Sequence, residues 1–178
     1  MLLKTGVQLE LLKDSDIYLF YERGIRGVQS VSFNKYEQAN NLYMEEYNKH
    51  IETTFISDLD ANNLNGNAMN RPLPYSEFQW IARISIDTIM NYDENSEIGY
   101  TLEVDLHYPE KLHDKHNEYP LVPERMKLDI CEKLCALFNV QKHYIIDFRV
   151  LKFYSQQGFE LKNINRVVQY SQQAWLKT

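Results

Sequence analysis

Two periods of apolar residues run through this chain, and they predict different elements. The clearest period of two lies between Ile98 and Leu106, where Ile98, Tyr100, Leu102, Val104 and Leu106 fall on one face of a strand. Phe78 to Ile89 alternates in part and predicts a second strand, with Asn91 to Glu97 as the hairpin loop between the two. Val7 to Leu12 and Val28 to Phe33 predict shorter strands, and Thr53 to Leu59 a buried one. Phe159 to Tyr170 predicts a final strand pair or one extended strand. Helical signals alternate irregularly with these. Asp14 to Asp16 offers caps for a helix running to about Glu22. Tyr36 to Lys49 carries Tyr, Leu and Met at helical spacing. Ala61 to Met69 reads as a helix stopped by Arg71-Pro72-Leu73-Pro74. Met126 to Leu137 and Arg149 to Gln157 predict two more, the latter ending at Gly158. Gly24-Ile25-Arg26-Gly27 reads as a turn, and the polar stretch from His107 to Pro123, with Pro109 and Pro120, as a long surface loop. The mixture predicts an α+β fold of antiparallel strands with flanking helices.

Composition narrows the picture modestly. A chain of 178 residues is one domain or part of a larger one, and 44% hydrophobic residues supply a core. Tyrosine is abundant, at 13 residues, which suits sheet edges and stacking surfaces equally. The net charge of -6 gives no global signal for nucleic acid. The charge is uneven, however. Residues 84–132 hold 12 acidic and 4 basic side chains, a net of -8, and residues 142–178 hold 6 basic and 2 acidic, a net of +4. Arg149, Lys152, Lys162 and Arg166 carry most of that basic character and are candidates for phosphate contacts or for a solvated helix face. Cys131 and Cys135 stand four apart, on one face of the predicted helix, and read best as two small buried apolar residues. Two cysteines permit no disulfide framework, so an intracellular setting is expected. No apolar run approaches the ~20 residues of a spanning helix, and no membrane partner is expected. His113 and His116, with His107 and Asp105 nearby, are a weak candidate for a metal cluster.

The segment richest in chemistry is Phe55-Ile56-Ser57-Asp58-Leu59-Asp60-Ala61-Asn62-Asn63-Leu64. An apolar strand ends in two carboxylates two residues apart, which the pleat sends to one face. A carboxylate beside a helix N-terminus suits a hard cation and a phosphate together, with the amides of Asn62, Asn63 and Leu64 meeting phosphate oxygens. Asp60 as a plain N-cap with Asp58 exposed is the alternative. A third reading takes Asp58 and Asp60 as the nucleophile and acid of a haloacid-dehalogenase-like phosphatase, which requires a regular parallel α/β sheet.

Several short blocks, in order along almost the whole chain, resemble the protein-primed family B DNA polymerases of viruses, linear plasmids and self-synthesising transposons. They are Leu9-Glu10-Leu11-Leu12, Glu22-Arg23-Gly24-Ile25-Arg26-Gly27, Leu59-Asp60-Ala61-Asn62-Asn63-Leu64, Ala68-Met69 with Pro72-Leu73-Pro74, Gly99-Tyr100 through Pro109, Tyr119-Pro120-Leu121-Val122-Pro123-Glu124, and Trp175-Leu176-Lys177. The resemblance implies that Asp60 is the motif A carboxylate of a polymerase palm. It implies that Asp60 and the Ala61 carbonyl hold catalytic Mg²⁺ or Mn²⁺, and that Asn62, Asn63, Leu64 and Asn65 lie along the incoming dNTP. Arg26 and Gly27 fall in the block between exonuclease and polymerase halves, near the template; Arg149 and Lys152 fall near template or primer. Implied partners are a DNA template and primer, a dNTP and a priming terminal protein, in a nuclear, organellar or virus-associated setting.

The chain departs from the family pattern in identifiable places. Asn65 stands where a Tyr usually screens the sugar 2′ position, Asn67 where the transposon group usually has Trp, and Val28 where a second glycine is expected. The Tyr-x-Asp-Thr-Asp block of motif C, the fingers helix with its Asn-Ser-x-Tyr-Gly turn and the exonuclease carboxylates do not occur. The expectation is one partial domain over residues 1–178, a linker block and palm segment not competent for catalysis alone. The alternative is a degenerate relic that binds nucleic acid weakly or not at all.

Overall fold

The period-two segment from Ile98 forms the centre of the protein. A computed structural model describes residues 5–27, 34–60 and 62–177. Among these the helices are α1 (Ser15–Gly24), α2 (Leu64–Met69), α3 (Ile86–Met90) and α4 (Phe148–Gln156). The strands are β1 (Leu73–Ile81), β2 (Ile98–His107), β3 (Glu124–Leu128), β4 (Cys131–Cys135), β5 (Gln141–Asp147) and β6 (Glu160–Gln173). The fold is α+β: an antiparallel sheet ordered β1-β6-β2-β5, a separate β3-β4 hairpin and a few helices.

Both faces of the sheet are covered, which explains the burial of β2 on each side. Tyr100, Leu102, Val104 and Leu106 face the main core with Val167, Phe148 and Leu151, as α4 packs against that side. Fully burying a side chain such as Leu102 contributes about 1.5–3 kcal/mol. Ile17 and Phe20 of α1 pack on the other face against Ile145 and Val168. Asp14 caps α1 as its sequence predicts, accepting from the amides of Asp16 at 2.8 Å and Ile17 at 3.4 Å. Asp147 caps α4, and Gly158, at φ +97°, turns the chain from that helix into β6. The single 14-residue β6 satisfies the expected final strand.

Other segments fold differently from their sequence patterns. β1 and β2 are not a hairpin, because β6 lies between them; the predicted strand from Phe78 ends at Ile81, and Ile86–Met90 is helical. Met126 to Leu137 is not a helix. It holds the rest of the β3-β4 hairpin, turned at Asp129 and Ile130, with Asp129 at φ +46°. Asp tolerates the left-handed conformation that a two-residue hairpin turn requires. Cys131 is exposed and Cys135 half-buried, so they are not core residues; both are free. Tyr36 to Lys49 is irregular because asparagine side chains compete for its backbone. Asn40 Nδ2 donates to the carbonyls of Asn48, Ile51 and Glu52 at 2.9–3.2 Å, and Asn40 Oδ1 accepts from the Asn48 amide at 2.8 Å. Val7 to Leu12 forms no strand, although the Glu10 amide reaches the Tyr75 carbonyl at 2.8 Å. Thr53 to Leu59 forms no strand and is not buried, although the Thr54 amide reaches the Asn40 carbonyl at 2.9 Å: Phe55, Ile56 and Leu59 are exposed. The stretch from His107 to Pro123 is not a surface loop throughout, since Tyr108, Leu112, His116 and Val122 are buried. The predicted strand Val28 to Phe33 lies outside the described residues.

Candidate functional site

Asp58 and Asp60 lie on a solvent-exposed segment without regular structure, and the helix expected from Ala61 begins at Leu64. The helix has six residues and is capped by Asn63 rather than Asp60. Asn63 takes φ +54° and its Oδ1 accepts from the Gly66 amide at 3.1 Å. Asn62, Leu64 and Asn65 are exposed beside it, and Ala61 lies outside the described residues. Among the described residues no group of three or more His, Cys, Asp or Glu side chains is gathered in a way that could hold a metal ion. Mg²⁺ takes six oxygens in near-octahedral geometry, usually with several waters among them. Two exposed carboxylates on one irregular segment are a partial donor set for it, and the described residues do not complete that set. The histidines likewise separate: His107 approaches Glu160 at 3.2 Å, while His116 is buried against Tyr108.

The residues expected near DNA, Arg26, Arg149 and Lys152, make hydrogen bonds within the fold. Arg26 packs its guanidinium 3.7 Å from the centroid of the Tyr144 ring and donates through Nη1 to the carbonyls of Gly24 at 3.1 Å and Ile145 at 2.7 Å. Burial lowers its pKa, with Tyr144 opposing. Gly27 takes φ +82°, a left-handed backbone that its missing side chain allows. Arg149 forms a fork on Asp147, Nε to Oδ1 at 2.8 Å and Nη2 to Oδ2 at 3.0 Å, and reaches the Pro72 carbonyl at 2.7 Å. Burial depresses its pKa, yet the hydrogen bonds and charge of Asp147 prevail and raise it. Lys152 Nζ donates to the Tyr92 carbonyl at 2.8 Å. Arg149 therefore fastens the segment after α2 to the end of the sheet.

A second polar constellation is not visible from motifs. Glu103, 3% exposed on β2, accepts from Arg166 Nε at 2.8 Å and Nη2 at 3.3 Å. Arg23 and His143 approach the same carboxylate at 3.7 and 3.8 Å. Arg166 also lies over the Phe20 and Trp80 rings, 5.4 and 5.0 Å from their centroids. The available sequence signal was a glutamate on the non-core face of β2, with arginine in the neighbouring strand. Asp105 beside it accepts from the His143 amide at 2.9 Å and from Asn165 Nδ2 at 3.0 Å; these bonds, that of His143 foremost, lower its pKa.

No protein-family model, curated protein or solved structure matches the chain.

Proposed function

We propose that the chain is the motif-A-bearing palm portion of a protein-primed family B DNA polymerase, inactive without the rest of the enzyme. The observation that carries this reading is the ordered series of sequence blocks from Leu9 to Lys177, with Asp60 shortly before the helix Leu64–Met69. The antiparallel sheet flanked by helices is consistent with a palm, and it gives no support to the phosphatase alternative, which needs parallel strands.

In the complete enzyme the reaction is attack of a primer 3′-hydroxyl, or a priming protein's hydroxyl, on the α-phosphorus of a dNTP. A P–O bond to the primer forms, the bond to the pyrophosphate breaks, and the hydroxyl proton is lost. Asp60 supplies one carboxylate toward divalent cation, and segments bearing the other carboxylates must supply the rest. Asn62, Asn63, Leu64 and Asn65 border the nucleotide, and Asn65 removes the ring expected at the sugar. The basic C-terminal segment then borders the DNA backbone.

A relic without catalytic capacity is the second reading, favoured by Asn65 and Val28 in place of the expected side chains. Mixing the chain with a polypeptide carrying the fingers helix and the Tyr-x-Asp-Thr-Asp block, then following dNTP incorporation on a primed template, separates the two. Restored incorporation that falls by about 100-fold or more in Asp60→Ala supports the polymerase reading. No incorporation in the mixture, or equal incorporation by the variant, sinks it.

A further inference from the structure

β6 is longer than the strand that flanks it. β1 pairs with its second half, from Leu73 opposite Gln173 to Ile81 opposite Val167. β2 pairs along nearly all of it, from His107 opposite Glu160 to Ile98 opposite Ser171. From Glu160 to Arg166 the edge on β1's side therefore carries no strand among the described residues. The chain leaving β1 does not fill the gap. Ala82 to Ile86 instead forms the opposite wall of an open groove of about 570 Å³ against Lys162 to Val167, and no backbone hydrogen bond joins the walls among the described residues. The register with β2 skips Lys162 and Asn165, so these seven residues of edge carry two bulges and present less than the ~23 Å of a regular strand.

An uncovered strand edge offers alternating amides and carbonyls, and added strands bind by pairing with both. The groove also has a sign. Its lining includes Arg83, Lys162 and Arg166 and no carboxylate, in a chain of net charge -6. Lys162 is held by Glu160 at 2.7 Å and Arg166 by Glu103, whereas Arg83 is exposed and makes no ion pair among the described residues. We propose that this groove docks an extended acidic peptide segment, added to β6 in line with β1, its carboxylates at alternate positions meeting Arg83 and Lys162. Positive charge alone suits a nucleic-acid backbone equally. A phosphodiester chain offers acceptors only, so it leaves the edge carbonyls unpaired; a peptide strand supplies donors and acceptors together. The inference is independent of the polymerase reading.

The test uses the full 178-residue chain, isotopically labelled, and a capped hexapeptide alternating Asp and Val. Comparison probes are the same peptide with Lys for Asp, the Asp peptide N-methylated at alternate amides in each of the two registers, and a single-stranded DNA oligonucleotide. The Asp peptide is expected to shift amide resonances at 82–86 and 160–167 and to slow hydrogen exchange within 160–166. Arg83→Glu is expected to weaken it by about tenfold, with Arg83→Lys retaining binding. At least one N-methylated register is expected to lose it. The proposal is overturned if the Asp peptide leaves these amides unmoved or the Lys peptide binds equally. It is also overturned if both methylated registers bind undiminished, or if the oligonucleotide takes the same amides more tightly. Arg83 is exposed, so an unchanged thermal midpoint in Arg83→Glu separates lost binding from lost fold.

Discussion

Gly99 on β2 stands directly opposite Tyr170 on β6, and the tyrosine ring lies across the space a side chain at Gly99 would fill. The phenol then donates to Asp147 Oδ2 at 2.9 Å, the carboxylate that also holds Arg149 and caps α4. Burial raises the Tyr170 pKa, and the Asp147 charge adds to it, so the hydroxyl remains a donor. A methyl at position 99 must displace the ring and break this bond. Gly99→Ala is expected to destabilise the fold by about 2–4 kcal/mol, read as a lower urea midpoint. Tyr170→Leu relieves the collision, so the double variant should lose less than the sum of the singles. Strict additivity would show that the ring moves aside freely.

The parts of this fold legible in sequence are those where one local signal meets no competitor. Five alternating apolar residues identify β2, and Asp14 and Gly158 mark a helix start and a helix stop by backbone chemistry alone. Strand order was not legible, because the Asn91 to Glu97 connection resembles a hairpin loop while both partners of β2, the strands β5 and β6, come only after the β3-β4 hairpin. Met126 to Leu137 misled because apolar residues four apart share a face in a helix and in a strand alike. Tyr36 to Lys49 misled because the Asn40 amide, bonded to three carbonyls, outweighs weak helical propensity. For the candidate site, a helix after Asp60 was readable, but the strand before it and the cap at Asp60 were not: Thr53 to Leu59 is exposed and Asn63 caps the helix. The Glu103 cluster joins four segments and appears only once they are packed.

Glu103 accepts two bonds from Arg166 while nearly excluded from water, with Arg23 and His143 close behind. Removing the carboxylate leaves cations facing one another beside Phe20 and Trp80. The Arg166 side chain is 40% exposed, so solvent relieves part of this cost. Glu103→Ala is expected to cost about 2–3 kcal/mol, at or below the low end for a broken buried pair. A double-mutant cycle with Arg166→Met should return a coupling of about 1 kcal/mol or more. A coupling near zero would mean that the pair orders the face without stabilising it.

Tyr108 and His116 form a buried couple, the phenol oxygen 2.7 Å from His116 Nδ1 and 3.5 Å from the Leu121 amide. With the phenol as donor, Nδ1 accepts and the imidazole is neutral with its proton on Nε2. Burial lowers the His116 pKa below the ordinary 6.5, and Lys115 adds to this; His113, stacked on Phe138, lies on the same turn. The folded state thus binds the proton less well than the unfolded chain. This contribution to stability is full above pH 6.5, declines as the pH falls through 6.5 toward the folded pKa, and levels off below that. His116→Phe keeps a ring beside Phe159 and removes the titration. Its urea midpoint should fall less than that of the wild type between about pH 7 and about pH 5. Equal slopes would place the titration elsewhere.

Asp60 is exposed and, among the described residues, bears no hydrogen bond or ion pair, whereas Asn63, three residues on, shapes the same turn. The two should therefore separate chemistry from structure. Asp60→Ala is expected to leave the unfolding midpoint within about 0.5 kcal/mol of the wild type. Asn63→Ala removes the acceptor for the Gly66 amide and puts alanine at φ +54°, a conformation it adopts poorly. The local cost is about 1–2 kcal/mol, borne by α2 rather than the sheet, because this six-residue helix has no buried residue. Faster hydrogen exchange confined to Leu64–Met69 is the signature. If Asp60→Ala instead lowers global stability, the carboxylate has a structural partner, and loss of incorporation in that variant ceases to report on catalysis.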